Sequence, residues 1–436
     1  MAYREFDTVS RRALLRGGAM LGAGAALTAW PLSRALAQGS PRWTNVAQFV
    51  DSYVNTRRVA NMVATLGWGQ QPATTIAKGT LALGGRREAG PDSLYRIYSM
   101  TKPVTGMAAM VLIDEGKLGL DQPLYEVLPA FRDTQVQRTY DGLVTDLVPA
   151  ERPITIRHLL THTAGLGYSI VQKGPIARAY EQAGIVPGQV TKLPLAEAFG
   201  RGKPVQGLDR FADNLAALPL VAQPGTRWSY SVSLDLMGRV IEVASGKPFD
   251  RFLKERFFEP LGMTSTYFRV PERDLPRLTT NYGVLAGTLV PIDTPEMSIY
   301  ADEPAFPFGG AGLVSTPADY DRFLQMLAGH GIFAGRRIMG EEAVRVGTSN
   351  LLPDGVSTDG TYAAGSGFGA GGRVGLGEQA GTYGWGGAAG TVGFVNMRNG
   401  LRASLMTQYM PAEAYPVHTA FPAAVLKDLL AMTGQV

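Results

Sequence analysis

The sequence has 436 residues, of which 45% are hydrophobic and 18% are charged, and this composition is typical of a folded globular protein rather than a disordered or fibrous one. The formal charge of +4 comes without a basic stripe interleaved with aromatic residues, so no nucleic acid partner is indicated. There is no Cys, which excludes disulfides, thiol nucleophiles and thiolate metal sites.

The first 37 residues predict an export signal. Paired Arg11 and Arg12 precede a Gly- and Ala-rich apolar stretch that leads to the small-residue site Ala35-Leu36-Ala37, an arrangement that resembles a twin-arginine signal. The apolar stretch is shorter than the roughly 20 residues that span a bilayer. We therefore expect cleavage after Ala37, a periplasmic or otherwise exported protein and no stable membrane anchor; an uncleaved anchor is the alternative. Without residues 1–37 the formal charge falls to +1, with 36 basic and 35 acidic side chains.

Helical and strand patterns then follow one another. Apolar residues at helical spacing predict a helix over 44–59, and β-like runs follow at 61–68, 73–85 and 94–99. From residue 123 to 295 the pattern favours helices and long loops. Strands are predicted again at 382–387, 390–400 and 401–410, with Arg398-Asn399-Gly400 as a hairpin turn, before a final helix.

This order of elements predicts an α+β fold with two domains. Residues 38–122 and 296–436 are expected to form a domain with an antiparallel sheet flanked by helices, and residues 123–295 an inserted, mostly helical domain. The cleft between the two is the expected site.

Ser99 and Lys102 stand three residues apart at the start of a helical pattern. Residues at this spacing are neighbours on a helix, and Pro103 is tolerated there only because it falls in the first turn. The pair is therefore either a nucleophile with its base or a helix-capping serine beside a solvated lysine, and the two residues alone do not decide between these.

Two further stretches contain residues that suit a catalytic cleft. Tyr230 lies in a loop before a helix, where a phenol can reach across a cleft. Trp385-Gly386-Gly387 ends a predicted strand, where glycine allows close approach of a ligand to the backbone.

Together the stretches SMTKPVTG, ITIRHLLTHTAGL, WSYSVSLDLMG and GWGGAAGT resemble, in this order, the serine β-lactamase and penicillin-binding-protein superfamily. The closest branch contains class C β-lactamases, D-aminopeptidases and family VIII carboxylesterases. The resemblance implies a β-lactamase-like fold, with Ser99 as the acylated nucleophile, Lys102 as its base or base partner and Tyr230 as a proton carrier. It also implies an oxyanion hole formed by the N–H groups of Ser99 and Ala388.

Two departures from the family pattern bear on the substrate. Val232 replaces the Asn of the Tyr-x-Asn motif, and Trp385-Gly386-Gly387 stands where relatives have Lys-Thr-Gly or His-x-Gly. Both resemble family VIII carboxylesterases and favour neutral acyl esters, although one of the arginines elsewhere could provide a partner for a carboxylate. We therefore expect an exported serine hydrolase of small esters, without metal or organic cofactor. The alternatives are a β-lactamase or D-Ala-type peptidase acting on amides, and an inactive penicillin-recognising module.

Other motifs give weaker predictions. No Gly-x-Ser-x-Gly elbow occurs, which argues against a Ser-His-Asp hydrolase of that type. His158 and His162 lie four apart, but the Glu that follows the first His of zinc peptidases is absent, so we expect a structural role. The glycine pattern over residues 367–372 is interpreted as a loop or strand near the cleft.

Overall fold

The computed structural model describes residues 43–194 and 202–433. The predicted signal segment 1–37 lies outside these ranges, so export and cleavage after Ala37 stay predictions. Within the described ranges no helix is long and apolar enough to cross a bilayer.

The described helices begin with one that starts at Thr44, as predicted, and ends at Asn55, four residues before the predicted end. In chain order they are α1 Thr44–Asn55, α2 Thr101–Asp114, α3 Ile156–Leu160, α4 Gly174–Gln182, α5 Leu208–Ala216, α6 Ser233–Ser245, α7 Phe249–Leu253, α8 Glu259–Leu261, α9 Pro317–Ala328, α10 Glu341–Gly347 and α11 Val417–Thr433. A wider π turn, Lys254–Phe258, joins α7 to α8.

The described strands are shorter and concentrate towards the two ends of the chain. They are β1 Asn61–Trp68, β2 Thr74–Gly79, β3 Tyr95–Arg96, β4 Gln135–Gln137, β5 Leu147–Pro149, β6 Asn281–Leu285, β7 Thr288–Asp293, β8 Val314–Ser315, β9 Ile332–Phe333, β10 Arg336–Arg337, β11 Gly367–Phe368, β12 Arg373–Val374, β13 Thr382–Gly386, β14 Val392–Asn396, β15 Leu401–Met406 and β16 Tyr409–Met410.

One seven-stranded antiparallel sheet organises the molecule, in the order β11-β12-β13-β14-β15-β1-β2. Its strands come from both sides of the segment 123–295, because β1 pairs with β15 with Val63 opposite Met406. Gly400 adopts φ 72° between β14 and β15, which confirms the predicted hairpin turn.

Helices cover both faces of this sheet. Alternate residues of β1, Met62, Ala64 and Leu66, pack in one apolar cluster with α1 and α11. The intervening Val63 belongs to the main core on the other face, where α2 and α9 lie. Asp428 of α11 accepts hydrogen bonds from the N–H groups of Asn45 and Val46 at the start of α1, which fixes the two helices together.

The segment 123–295 is not helical throughout, and the prediction missed a hairpin at its end. Strands β6 and β7 pair through a two-residue turn in which Ala286 and Gly287 both have positive φ, and β16 joins β6 in parallel. Because the partner β16 lies more than a hundred residues away in the sequence, only the Ala-Gly turn between two β-like runs gave a local signal.

Helix α2 is the central element of the molecule. It is buried along almost its whole length and packs against α6 and α10 as well as the core face of the sheet. It begins at Thr101 and not at Ser99 as predicted, because residues Tyr98–Met100 form a 3₁₀ turn before it. This turn brings the chain from β3 to the buried helix.

Candidate active site

Ser99 lies in a backbone turn of unusual conformation. The preceding Tyr98 has φ 41°, in the left-handed region that non-glycine residues rarely adopt. Its hydroxyl accepts a hydrogen bond from Asn281 Nδ2 at 3.2 Å, and its ring meets the edge of Tyr300. A conformation of this kind costs about 1–3 kcal/mol and persists where surrounding contacts hold it. These contacts therefore help to fix the backbone that presents Ser99.

Lys102 points from the first turn of α2 back to Ser99. Its ammonium donates to Ser99 Oγ at 3.2 Å and to the carbonyl of Gly310 at 2.7 Å. The side chain is fully buried, so the interpretation of Lys102 as a solvated surface residue is wrong. Ser99 does not cap α2 either, because the helix starts after Met100.

Tyr230 reaches the same serine from the loop before α6. Its hydroxyl donates to Ser99 Oγ at 2.8 Å and accepts from Trp385 Nε1 at 3.2 Å. Ser99 Oγ therefore lies within hydrogen-bonding distance of both an amine and a phenol. These are two groups that can take up or return a proton during nucleophilic catalysis.

Asp235 is a buried group near the site that the sequence interpretation missed. Its Oδ1 accepts a hydrogen bond from the N–H of Gly310 at 2.8 Å, and the carbonyl of the same Gly310 accepts from Lys102. Burial raises the pKa of Asp235 to about 6, while the charge of Lys102 acts in the opposite direction. An acidic residue on the apolar side of α6, between Leu234 and Leu236, was the signal that could have identified it.

Five rings surround the phenol of Tyr230 and define its position. Their centroids lie 4.7 to 6.2 Å from that of Tyr230, and they belong to His162, Tyr168, Tyr362, Trp385 and Trp228. Lys102 Nζ lies 4.5 Å from the centroid of the Tyr230 ring, a distance typical of a cation–π contact. These rings form an aromatic wall around Tyr230, whose hydroxyl contacts Ser99 Oγ.

The two histidines named in the sequence have different surroundings. His158 caps the start of α3 together with Thr155, and burial lowers its pKa to about 4. His162 is fully buried, and burial together with the positive charge of Lys102 holds its pKa well below the ordinary value. Neither lies in a cluster of three or more metal-binding side chains within the described residues.

The glycines after Trp385 let the end of β13 approach the Ser99 turn. A Cβ on Gly387 would lie 2.4 Å from the carbonyl oxygen of Ile97 and 2.2 Å from Thr391 Oγ1. A Cβ on Gly386 would lie 2.9 Å from the His418 ring, which packs below the strand. The next residue, Ala388, is half-buried and packs against the apolar cluster that contains Tyr98. The structure thus brings Ala388 to the Ser99 turn, and its oxyanion-hole role stays a prediction.

The two departures from the family motifs have a clear structural basis. Val232 is fully buried and places an apolar side chain in the core where the family motif has an amide. Ser231 before it bonds His162 Nδ1 at 3.0 Å and Ser233 Oγ at 2.6 Å, which anchors the loop behind Tyr230. Trp385 fills the position of the missing lysine with a ring that bonds Tyr230.

Comparison with known proteins agrees with this architecture. The chain is 38% identical over 263 residues to Protein Rv1367c of Mycobacterium tuberculosis, in an alignment that covers 60% of the chain and 61% of the relative. The chain thus spans less than two thirds of that relative. It is 29% identical over 377 residues to Esterase EstB of Burkholderia gladioli, with 82% of the chain and 88% of the esterase covered.

A solved structure and a family match complete the comparison. The fold is similar to that of EstCE1, described as a hydrolase with promiscuous acyltransferase activity, with a TM-score of 0.71, 25% identity and coverage of 91% of this chain and 99% of that one. This similarity confirms the predicted α+β, β-lactamase-like fold. Residues 46–426 match the Beta-lactamase family, and the chain therefore belongs to that family.

Proposed function

We propose that this protein is a serine hydrolase that cleaves small acyl esters through an acyl-enzyme intermediate on Ser99. The observation that carries the proposal is that Ser99 Oγ lies 3.2 Å from Lys102 Nζ and 2.8 Å from the hydroxyl of Tyr230. A serine hydroxyl becomes a useful nucleophile when an adjacent group can take its proton. Here two such groups contact the same oxygen.

In the acylation step, Ser99 Oγ attacks the ester carbonyl carbon while its proton passes to Lys102 or to the oxygen of a deprotonated Tyr230. The tetrahedral oxyanion is held by the N–H groups of Ser99 and Ala388, and a donor of this type contributes about 3 kcal/mol. Collapse breaks the bond to the alcohol oxygen, which takes a proton from Tyr230 and leaves as the alcohol. Ser99 then carries the acyl group.

In the deacylation step, a water molecule gives a proton to the same pair of groups as its oxygen attacks the acyl carbon. Collapse of the second tetrahedral intermediate breaks the bond to Ser99 Oγ, which recovers a proton. The carboxylic acid leaves, and the enzyme returns to its starting state. No group outside Ser99, Lys102, Tyr230 and the backbone donors is needed for the proton balance.

The preference for esters rests on the two departures from the family motifs. Val232 and Trp385 occupy positions where an amide and a cation would bind the side chain and the carboxylate of a β-lactam. The name of EstB, an esterase that is 29% identical to this chain, supports the same substrate class.

The experiment measures turnover of p-nitrophenyl butyrate and of nitrocefin by purified residues 38–436, together with intact mass after treatment with a fluorophosphonate. We expect ester turnover and one added label. Ser99→Ala should lose the label and at least about 10⁴-fold of the turnover, as nucleophile deletions do. Ser52→Ala on the exposed face of α1 serves as the matched control.

Two results would change the proposal. If the wild type shows no labelling and no turnover, the result would favour the inactive module. Nitrocefin turnover far above ester turnover would favour the lactam or amide alternative.

Acyl transfer to an alcohol is a second candidate, favoured by the aromatic wall around Tyr230. Apolar rings favour an alcohol over water as the acceptor of the acyl group. The described activity of EstCE1, a hydrolase with promiscuous acyltransferase activity, supports this candidate. Ester product formed in the presence of butanol, measured against free butyrate, gives the ratio of the two reactions.

We also propose that residues 1–37 direct export, on the support of the paired Arg11 and Arg12 and the site ending at Ala37. Expression of the full chain in a bacterium with twin-arginine export should give a periplasmic protein that begins at Gln38. Replacement of Arg11 and Arg12 by Lys should retain the precursor in the cytoplasm. A periplasmic product from this variant would contradict the proposal.

A further inference from the structure

His162 packs against the ring of Tyr230. The two ring centroids lie 4.7 Å apart, with an angle of 56° between the ring planes. Phe368 and Trp228 are further neighbours, with ring centroids 5.3 and 6.0 Å from that of His162. Because the side chain of His162 is only 1% exposed, it can act on a reaction in the cleft only through these neighbours.

His162 also holds the chain on both sides of Tyr230. Its carbonyl accepts a hydrogen bond from the N–H of Ser229 at 3.0 Å, and its Nδ1 lies 3.0 Å from Ser231 Oγ. Ser231 Oγ in turn lies 2.6 Å from the hydroxyl of Ser233, the first residue of α6. The residues before and after Tyr230 are therefore both tied to His162, and these contacts fix the main chain that carries the phenol.

The backbone of His162 is held in a strained conformation. Its φ is 57°, in the left-handed region that residues other than glycine rarely adopt. Residues in such conformations cost about 1–3 kcal/mol each and concentrate at functional sites, where the surrounding structure holds them. Tyr98, next to the nucleophile, has a conformation of the same kind. Strain thus occurs beside Ser99 and beside Tyr230, which indicates a functional constraint on both positions.

The hydrogen bond between His162 and Ser231 has a defined direction. Burial and the positive charge of Lys102 hold the pKa of His162 well below its ordinary value, so the ring is neutral and has one N–H. Nε2 is buried without a hydrogen-bond partner among the described residues. An N–H among aromatic rings is attracted to their electron-rich faces, whereas a lone pair is repelled by them. The proton is therefore assigned to Nε2, and Nδ1 accepts from the Ser231 hydroxyl.

We propose that His162 is a positioning residue that holds Tyr230 where its hydroxyl gives a proton to the leaving group. This inference rests on the proposed ester hydrolysis, in which the alcohol oxygen takes its proton from Tyr230. The Tyr230 hydroxyl lies 2.8 Å from Ser99 Oγ. Displacement of a reacting group by about 1 Å can cost about 100-fold in rate. Loss of the bond between His162 and Ser231 would release one side of the loop and displace the phenol.

Esters with different leaving groups isolate this step. p-Nitrophenolate leaves as a stable anion, whereas the alkoxide of ethyl butyrate has to be protonated as it leaves. The ratio of kcat/KM for p-nitrophenyl butyrate to kcat/KM for ethyl butyrate therefore reports how well Tyr230 delivers its proton. Titration with a fluorophosphonate counts the active serines, so partial unfolding does not change this ratio. Tyr230→Phe, which lacks the hydroxyl, should give the largest ratio.

Variants at both ends of the hydrogen bond test its role. His162→Phe keeps a ring beside Tyr230 but removes the bond to Ser231, and it should raise the ratio by about ten- to hundredfold. Ser231→Ala should act in the same way, and the double variant should add little, as expected for two partners of one contact. His162→Asn should return the ratio to within about fivefold of the wild type, because asparagine tolerates the left-handed backbone and offers a side-chain acceptor near the position of Nδ1.

His158→Leu is the matched control, because His158 belongs to the same motif but accepts a hydrogen bond from the N–H of Thr155 before α3. It should lower the melting temperature and leave the ratio unchanged. Wild-type ratios in both His162→Phe and Ser231→Ala, or an equal rise in His158→Leu, overturn the proposal. If His162→Phe does not fold, the ratio of Ser231→Ala decides. A wild type without label or turnover would instead overturn the proposed hydrolase, so the two failures are distinguishable.

Discussion

Arg96 and Lys102 stand three residues before and three residues after Ser99, and both are fully buried. Arg96 contacts a carboxylate directly, with Nε 2.7 Å and Nη2 2.5 Å from Asp293 Oδ2. Within the described residues the ammonium of Lys102 donates hydrogen bonds to the carbonyl of Gly310 and to Ser99 Oγ, and to no carboxylate. Its nearest carboxylate contact is indirect, because Asp235 bonds the N–H of the same Gly310.

The difference separates an anchoring cation from one that we propose to act as a base. A carboxylate in direct contact favours the charged form of a cation and fixes its position. A base has to give up its proton. Asp235 contacts Gly310 rather than Lys102 itself, so its carboxylate can compensate part of the lysine charge without holding the lysine proton. The same turn thus holds Arg96 in a direct ion pair and leaves Lys102 beside Ser99 Oγ, the position that its proposed role as a base requires.

The largest expected effect is the loss of turnover when Lys102 is replaced. Lys102→Met should lower kcat/KM for the preferred ester by about 10²–10⁴-fold, the usual contribution of a general base. Lys102→Arg retains a cation that does not release its proton, and we expect it to be similarly inactive. Turnover of Lys102→Arg within tenfold of the wild type would show that charge alone suffices and would contradict the base role.

Replacement of Arg96 should lower the stability of the protein. Arg96→Met leaves Asp293 buried and uncompensated, and the free energy of unfolding should fall by about 3–5 kcal/mol in urea denaturation. Arg96→Met/Asp293→Leu removes both charges and should recover part of this loss. A loss below about 1 kcal/mol in the single variant would be incompatible with the anchoring role.

Asp235, the carboxylate that reaches Lys102 only through Gly310, gives a prediction for the pH dependence of stability. The pKa of Asp235 is raised to about 6, whereas an unfolded Asp titrates near about 3.9, so the native state binds this proton more tightly. Between about pH 4 and 6 this group therefore makes the free energy of unfolding fall as pH rises, by roughly 3 kcal/mol in total, with no further change above.

Asp235→Asn removes this titration. The difference between wild-type and Asp235→Asn unfolding free energies, measured across pH 4–8, cancels the contribution of other groups. We expect the wild type to lose stability relative to the variant up to about pH 6. If the difference in unfolding free energy does not change with pH, Asp235 has the same charge in the folded and unfolded states.

The smallest expected effect concerns the contact between β13 and the turn. Gly387→Ala places a Cβ against the Ile97 carbonyl, so the strand end has to move away from Ser99. We expect about 1–3 kcal/mol less stability and a turnover lowered by about ten- to hundredfold, because small displacements of reacting groups are costly. Gly90→Ala is the control, since a Cβ there meets open space. Equal turnover of the two variants would argue against a close fit at Gly387.

Local patterns predicted the parts of the fold that depend on neighbouring residues. The first strand matches residues 61–68, and the Arg398-Asn399-Gly400 turn joins β14 to β15. The proximity of Ser99 and Lys102 follows from one helical turn, even though the helix begins two residues later than predicted. These features need only the geometry of a single element.

The long-range contacts had no such signal. Asp235 meets Gly310 and Arg96 meets Asp293 only after distant segments fold together, and the sequence interpretation singled out none of these residues. The burial of Lys102 was equally unpredictable, because it depends on the elements packed around α2 and not on α2 itself.

The pairing of β1 with β15 has a consequence for how the chain folds. Val63 reaches its partner Met406 only after roughly 340 intervening residues have been synthesised, and such contacts slow folding because the loop entropy is lost before the contact forms. Until then the unpaired edge of β1 is open to other strands, so aggregation should compete with refolding from denaturant. Since β13 is attached to the sheet through β14 and β15, Ser99 gains its complete surroundings only late. Recovery of the proposed esterase activity should therefore follow formation of the sheet rather than of the helices.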